Sequence, residues 1–323
     1  MIIGTGSFIP DEVITNNDLE KIVDTSDEWI LTRTGISERR KAKPDMATSD
    51  MAVPAARQAL EAAGVSPEEL DLIIVATITP DTYCPSAACW VQYHLGAKRA
   101  FAFDINAACS GFVYGLAVAD QFIRSGSAKR ILFVGAEIMT RVVNWQDRST
   151  CVLWGDGAGA VVVVPAEDGR GILSSHLHSD GKNGKTLLMA GGGSRVTPIT
   201  RETVDRDLHT LKMNGQDTFK LAVRAFIDVC TEALEHNALT PGDIDLFIPH
   251  QANIRIIDAV AKRLNVPTEK ILVTIHKHGN TSSASIPIAL DEAVREGRVQ
   301  TGDTLLLAAF GGGLTWGATA LIW

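Results

Sequence analysis

Three residues far apart in the chain, Cys109, His250 and Asn280, are of types that together could handle an acyl thioester. Cys109 follows a strand-like run, Phe101-Ala102-Phe103, that ends at Asp104 and Asn106. From Ser110 the period turns helical, with Phe112, Leu116, Ala119 and Ile123 on one stripe and Gly126 as a stop. The sulfur is therefore expected at a strand-to-helix corner, where unpaired backbone N–H groups and the positive helix end favour a thiolate. Ala107, Ala108, Ser110 and Gly111 are small enough to let a substrate approach. A buried structural cysteine suits the same stretch, so this residue alone leaves both readings open.

His250 follows a strand, Leu246-Phe247-Ile248, at the carboxyl end where open α/β sheets bind ligands. Asn280 lies in the turn His278-Gly279-Asn280-Thr281-Ser282, where a plain helix cap is the alternative reading. In thioester chemistry the thiolate attacks the carbonyl, backbone N–H groups hold the oxyanion, and His and Asn donate to a developing enolate. Phe310-Gly311-Gly312-Gly313 follows the last core strand, and Gly312 is the expected second oxyanion donor beside the Cys109 N–H. A plain tight turn would also use those glycines. Trp29 and Arg33, four apart on one helical face, could sandwich a flat heterocycle, with Arg148 joining them. A half-buried Trp beside a surface Arg has the same spacing. Arg255, Lys262 and Arg263 follow His250 on a helix and form a basic face suited to an acidic partner, or simply a solvated one.

Composition narrows the class. A chain of 323 residues with 46% hydrophobic and 21% charged residues is an ordinary globular protein with an ample core. A net charge of −8 argues against nucleic acid as a partner. The five cysteines are scattered without paired spacing, so neither a zinc site nor a disulfide framework is expected. His176/His178 and His276/His278 alternate as in strands and suggest no metal site either. Gly155-Asp156-Gly157-Ala158-Gly159 is followed by a strand and not a helix, so it fails as a dinucleotide fingerprint. Met1-Ile2-Ile3-Gly4 shows no charged leader, and no run of about 20 apolar residues occurs. A soluble, reduced, cytoplasmic protein that uses no membrane is expected.

Strand-type and helix-type segments alternate, which predicts an α/β fold with covered sheets. Thr25 to Glu28 reads as a capping box opening a short helix. The order then repeats. ALEAAGVSPEELDLIIVA from Ala59 aligns without a gap on ALEHNALTPGDIDLFIPH from Ala233. The Cys109 corner lines up with the Asn280 corner, and each following helix closes on Asp-x-x-x-Arg-x-Gly: Asp120, Arg124, Gly126 against Asp291, Arg295, Gly297. A duplication of this length implies two similar halves, 1–168 and 169–323, with Cys109 in the first and His250 and Asn280 in the second. Corners of such halves converge on one pocket. Asp180 to Asp217, rich in Gly, Thr and charge, reads as a long structureless excursion, either a mobile flap or a surface insertion.

TSDEWILTRTGI, AACSGF, GDGAGA, PHQANIRI, HGNTSSAS and AFGGGLTWG, taken together, resemble β-ketoacyl-acyl-carrier-protein synthase III, the initiating condensing enzyme of fatty-acid synthesis, along essentially the whole chain. The resemblance implies a duplicated thiolase-like fold, two α/β halves in αβαβα layers, working as a homodimer. It implies decarboxylative condensation of an acyl-CoA primer, acetyl or a short or branched acyl group, with malonyl-acyl carrier protein. Cys109 is then the nucleophile, and His250 and Asn280 assist decarboxylation. The Cys109 and Gly312 N–H groups form the oxyanion hole, and Trp29, Arg33 and Arg148 hold the CoA nucleotide. Gly215 and Asn253 lie near the pantetheine arm, and Arg255 docks the carrier protein on the face that includes Lys262 and Arg263. No metal or cofactor is implied beyond the CoA thioester itself.

Departures qualify the match. Cys84 stands where some relatives carry a bulky aromatic that caps the partner's acyl tunnel, so longer or branched primers are expected to fit. Asp180 to Asp217 is longer than typical, and Ser110 replaces a common alanine. A thiolase would need a second cysteine near the C-terminus, and elongating synthases use a histidine where Asn280 stands. A chalcone-synthase-like enzyme shares the Cys, His and Asn set. An acyltransferase or polyketide-priming synthase of the same fold is the main alternative. A papain-like hydrolase and a carrier-protein-binding module without catalysis are weaker ones.

Overall fold

A computed structural model describes residues 1–166, 168–196 and 199–323. Two large sheets carry the fold. The first takes β1 (Ile2–Phe8), β2 (Leu72–Ala76), β3 (Phe101–Ile105), β4 (Ile131–Ile138) and β5 (Asp156–Val163), in the order β1-β5-β4-β2-β3. The second takes β6 (Gly171–Ser179), β7 (Leu246–Pro249), β8 (Thr304–Gly311) and β9 (Thr315–Ile322), in the order β6-β9-β8-β7.

The repeat seen in the sequence recurs in the pairing. β1 runs antiparallel to β5, as β6 does to β9. β4 and β5 are antiparallel, as are β8 and β9, while β2 runs parallel to β4, as β7 does to β8. β3 lies parallel to β2, and Ile271 makes the matching parallel bridge to Phe247 on β7. The helices preceding β2 and β7 are α2 (Thr48–Ala63) and α5 (Gly215–His236), each joined to its strand through a Pro-led turn, Pro67–Glu69 and Pro241–Asp243.

Alternation along the strands builds the layers. Ile73, Val75, Leu132 and Val134 face α2 and α3 (Ala87–Leu95). Phe247, Leu306 and Ala308 face α5 and α6 (Ile254–Leu264). Leu72, Ile74, Ile131 and Phe133 meet Leu246, Ile248, Leu305 and Leu307 in the central core. That core also holds α4 (Gly111–Arg124) and α7 (Ser285–Arg295), and each of these helices touches both sheets. The result is αβαβα layering. Because both faces of both sheets are covered, the inner strands read as unbroken apolar runs.

Two expectations need correction. The stretch from Asp180 to Asp217 is structured where described; Thr197 and Pro198 lie outside the described residues. Leu187–Met189 and Leu211–Met213 pair as antiparallel strands, and Thr200 caps a turn of helix at Arg201–Asp205. The apolar alternation of Leu187/Met189 and Leu211/Met213, turned toward the Cys109 core, gives this segment something to bury. The helix α1 (Asp27–Thr34) is capped by Ser26, whose oxygen accepts from the Trp29 N–H at 3.1 Å, so no box forms on Thr25. Among the described residues no helix is long and apolar enough to cross a membrane.

Close packing of β4 on the Asn280 corner depends on a missing side chain. A Cβ at Gly135 would lie 2.5 Å from the Ser283 carbonyl oxygen, a backbone atom that cannot rotate aside. Gly135→Ala is therefore expected to lower unfolding free energy by about 1–3 kcal/mol, read by chemical denaturation. An unchanged midpoint would show that the corner yields freely.

Candidate active site

The strand ends of both sheets open onto a cavity of about 480 Å³ whose lining includes Cys109, His250 and Asn280. All three are almost closed from solvent, at 4%, 2% and 4% exposure. Cys109 sits in the turn Ala108–Ser110 between β3 and α4, as expected for a strand-to-helix corner. Ala108 adopts φ 47°, a left-handed conformation that costs energy for a residue with a Cβ and recurs at functional turns.

The cost of desolvation reverses one expectation. Burial pushes the Cys109 thiol up to about 12, with the Ser282 hydroxyl pulling it down and the Glu137 carboxylate raising it. No cation offsets that burial, so the resting sulfur is a thiol despite its place beside a helix start.

His250 follows β7, and its Nδ1 lies 2.6 Å from Ser285 Oγ on α7. The Gln251 N–H donates to the same Oγ at 3.4 Å, and the Ser285 hydroxyl keeps its own proton to give. When that hydroxyl donates to Nδ1, the imidazole proton resides on Nε2. Burial pushes this histidine down to about 3, so the ring stays neutral. Asn280 is pinned on both sides. Its N–H donates to the Leu153 carbonyl at 2.8 Å, and its Oδ1 accepts from the Ser282 N–H at 2.9 Å. With Oδ1 occupied, Nδ2 is the atom free to donate. The cavity thus holds a thiol and two neutral N–H donors.

Of the glycine run, Gly311 lines the cavity, and a Cβ on it would stand 2.7 Å from the Cys109 nitrogen. Gly312 sits beside Ala108 and Leu187. Nearer the mouth are Trp29, Arg33, Gly215, Asn253 and Arg255. The guanidinium carbons of Arg33 and Arg148 lie 5.2 and 4.8 Å from the Trp29 ring centroid. Asn253 caps α6 through its Oδ1 and donates from Nδ2 to the Arg33 carbonyl at 2.9 Å, tying α1 to α6. Arg255 stacks over Phe219 at 5.6 Å. Lys262 and Arg263 are exposed farther along α6, outside the cavity. Cys84 is exposed, just before Pro85, and does not reach this cavity within one chain. Among the described residues no group of His, Cys, Asp or Glu could hold a metal ion.

Family models for 3-oxoacyl-[acyl-carrier-protein] synthase III match residues 103–181, and for its C-terminal part residues 234–323. The beta-ketoacyl-[acyl-carrier-protein] synthase III of Caldanaerobacter subterraneus subsp. tengcongensis is 55% identical over 322 residues, covering 100% of this chain and 97% of its own length. The chain belongs to that family. The crystal structure of the synthase III from Aquifex aeolicus superposes with a TM-score of 0.92 at 53% identity, covering 100% of this chain and 99% of the other. A priming beta-ketosynthase of a polyketide pathway gives 0.92 at 40% identity, covering 99% and 95%.

Within this synthase III, four side chains shape the site although residue-type reasoning passed over them: Glu137, Gln251, Ser282 and Ser285. Ser282 and Ser285 belong to the serine-rich run after Asn280, and Gln251 adjoins His250. Glu137 carried the clearest signal, a lone carboxylate inside the buried strand β4. The neutral imidazole also has a stability signature. Between about pH 6.5 and 3 the unfolded histidine binds a proton that buried His250 does not, so stability falls as pH falls. By about pH 5 the loss is about 2 kcal/mol. His250→Gln is expected to flatten that part of the dependence in denaturation series at neutral and acid pH. An unchanged slope would mean that His250 is already protonated in the folded enzyme.

Proposed function

We propose that this chain joins an acyl primer, delivered as its CoA thioester, to malonyl-acyl carrier protein, releasing CoA and CO2 and giving 3-oxoacyl-acyl carrier protein. The observation that carries the reading is the convergence of Cys109, His250 and Asn280 on one cavity whose mouth bears Trp29 with two arginines over its ring. The Cys109 sulfur attacks the primer carbonyl, and the Cys109 N–H together with the Gly312 N–H supports the oxyanion. CoA leaves as its thiol. The malonyl thioester then enters, and its carbonyl oxygen accepts from His250 Nε2–H and Asn280 Nδ2–H. Charge that develops there as CO2 departs is held by these neutral donors, and the enolate carbon attacks the acyl-Cys109 carbonyl, whose C–S bond breaks so that the Cys109 sulfur leaves and takes up a proton. No step changes an oxidation state, so no redox cofactor is required.

Trp29, Arg33 and Arg148 are the residues we assign to the CoA nucleotide: the indole offers a π face, and the guanidiniums offer charge to phosphates. Gly215 and Asn253, at the mouth, would flank the pantetheine arm. Arg255, Lys262 and Arg263 share one stretch of α6 and would meet the acidic carrier protein. Residues 1–168 and 169–323 are taken as the two halves of the duplication. We place the enzyme in the cytoplasm, in keeping with its free thiols. A homodimer fits the free edge of the first sheet. β3 is its outer strand, Phe101 on it is 46% exposed, and Tyr93 nearby is 72% exposed. Pairing there would also bring Cys84, outside its own chain's cavity, toward a partner, where its small side chain would admit larger primers. Likeness to a polyketide-priming synthase supports a second reading, in which the same condensation serves another carrier protein.

One mass-spectrometric series tests these assignments. Under native conditions the protein is expected at twice the 34.6 kDa chain mass and, after acetyl-CoA, with one acetyl group on each Cys109. Cys109→Ala should take up none. His250→Ala and Asn280→Ala should still acylate but release CO2 from malonyl-acyl carrier protein at least about a hundredfold more slowly. Wild-type CO2 release by either variant would remove the enolate role, and a single-chain mass would remove the dimer.

A further inference from the structure

The proton on Cys109 needs somewhere to go. With Ser285 donating to Nδ1, His250 carries its proton on Nε2, and the ring could accept another only as a buried imidazolium. Asn280 cannot accept one. A further candidate is the Ser282 hydroxyl, which pulls the Cys109 thiol down and donates to Glu137 Oε1 at 3.0 Å. The turns carrying Cys109 and Ser282 pack directly on each other.

Glu137 is fully buried on β4 and is held from two sides. Its Oε2 accepts from Thr77 Oγ1, the Ile78 N–H, the Thr79 N–H and Thr79 Oγ1, at 2.7 to 3.2 Å. Its Oε1 faces Ser282 and Ser283, each at 3.0 Å. Ser283 Oγ also reaches the Ala76 carbonyl at 2.8 Å. One hydroxyl proton cannot serve both acceptors. When Ser283 donates to Ala76, its lone pairs face Oε1 and are ready to receive a proton from it. The cradle therefore suits a carboxylate on Oε2 and leaves room for one proton on Oε1. Burial pushes the Glu137 carboxyl up, and the hydroxyl and amide donors of this cradle, from Thr79, Ile78, Ser282 and Ser283, pull it back down.

Given the condensation reading above, we propose that Ser282 and Glu137 form a proton relay for Cys109. As sulfur bonds to the primer carbonyl carbon, its S–H bond breaks, Ser282 Oγ takes that proton, and the Ser282 hydroxyl proton passes to Glu137 Oε1. Thiol plus carboxylate becomes sulfur nucleophile plus carboxylic acid, and the buried pair keeps a charge of minus one throughout. The negative charge moves to the carbonyl oxygen and then to the departing CoA sulfur. CoA takes the proton back through Ser282, leaving acyl-Cys109 and an ionised Glu137. Ser282 touches the reacting sulfur; Glu137 acts through it as a positioning and proton-storing residue.

Alkylation by iodoacetamide needs no acyl substrate and reads this step directly. It is followed on the Cys109 peptide because Cys84 and Cys89 are exposed and react as well. With an internal acceptor, the wild-type rate should be nearly flat through neutral pH. Glu137→Gln and Ser282→Ala should be at least about tenfold slower at neutral pH, with rates rising about tenfold per pH unit. A carboxylate that merely raised the thiol by its charge gives the opposite sign, since Glu137→Gln would then speed alkylation. An unchanged or faster Glu137→Gln overturns the relay. Should Glu137→Gln lose its cooperative melting transition, Ser282→Ala decides by the same criterion, with Ser282→Thr expected to restore the flat profile. Failure of wild-type protein to take acetyl from acetyl-CoA, with the flat profile intact, would count against the condensation reading and leave the relay standing.

Discussion

Desolvation governs this site. Cys109, His250 and Asn280 lie where a charge is costly, and among the described residues no cation shifts Cys109 or His250 against that burial. The usual picture of a resting thiolate paired with an imidazolium therefore does not apply. All three groups begin neutral, and charge appears only when substrate brings a carbonyl oxygen able to receive it. Donors that are neutral and already oriented need little reorganisation at that moment, which is the condition under which hydrogen bonding contributes most to rate. The same burial that raises the thiol also keeps water from the carbanion equivalent that must attack carbon.

Orientation comes from the duplicated architecture. Each half sends a strand-to-helix corner to the sheet ends, and α4 and α7 both lie in the central core, each touching both sheets. Hydrogen bonds then lock each group from the other half or a neighbouring element. Asn280 is held by Leu153 from the first half, His250 by Ser285 on α7, and the Ser282 turn by Glu137 on β4. Gly135 and Gly311 supply the closeness: one admits the Asn280 corner to the sheet, and the other admits the end of β8 to the nucleophile's backbone.

The layers could be read from the chain because strand and helix periods alternate cleanly and the segment at Ala59 returns at Ala233. Cys109, His250 and Asn280 could be picked out because each type is scarce at a sheet end. Other features depended on information that periodicity lacks. Whether the sulfur is charged turns on the balance of burial against a helix start, and that balance follows only from the packed environment. The structure of the described part of Asp180 to Asp217 turned on a long-range burial partner, the apolar wall around Leu187 and Met213. The Ser26 cap shows the usual one-residue ambiguity where Thr and Ser adjoin. Glu137 was visible as a charge in a strand, but its meaning came from donors contributed by residues 77–79 and 282–283, distant in sequence.

The proton on His250 is the most direct point of contact with experiment, since the donor role and the need for another acceptor both follow from it. Nitrogen NMR of the ring, with imidazole-labelled histidine and assignment by His250→Gln, reports both tautomer and charge. A neutral ring protonated on Nε2 from neutral pH down to about pH 5 is the expected spectrum. An imidazolium at neutral pH, or a proton on Nδ1, would contradict the assignment and with it the chemistry derived for the cavity.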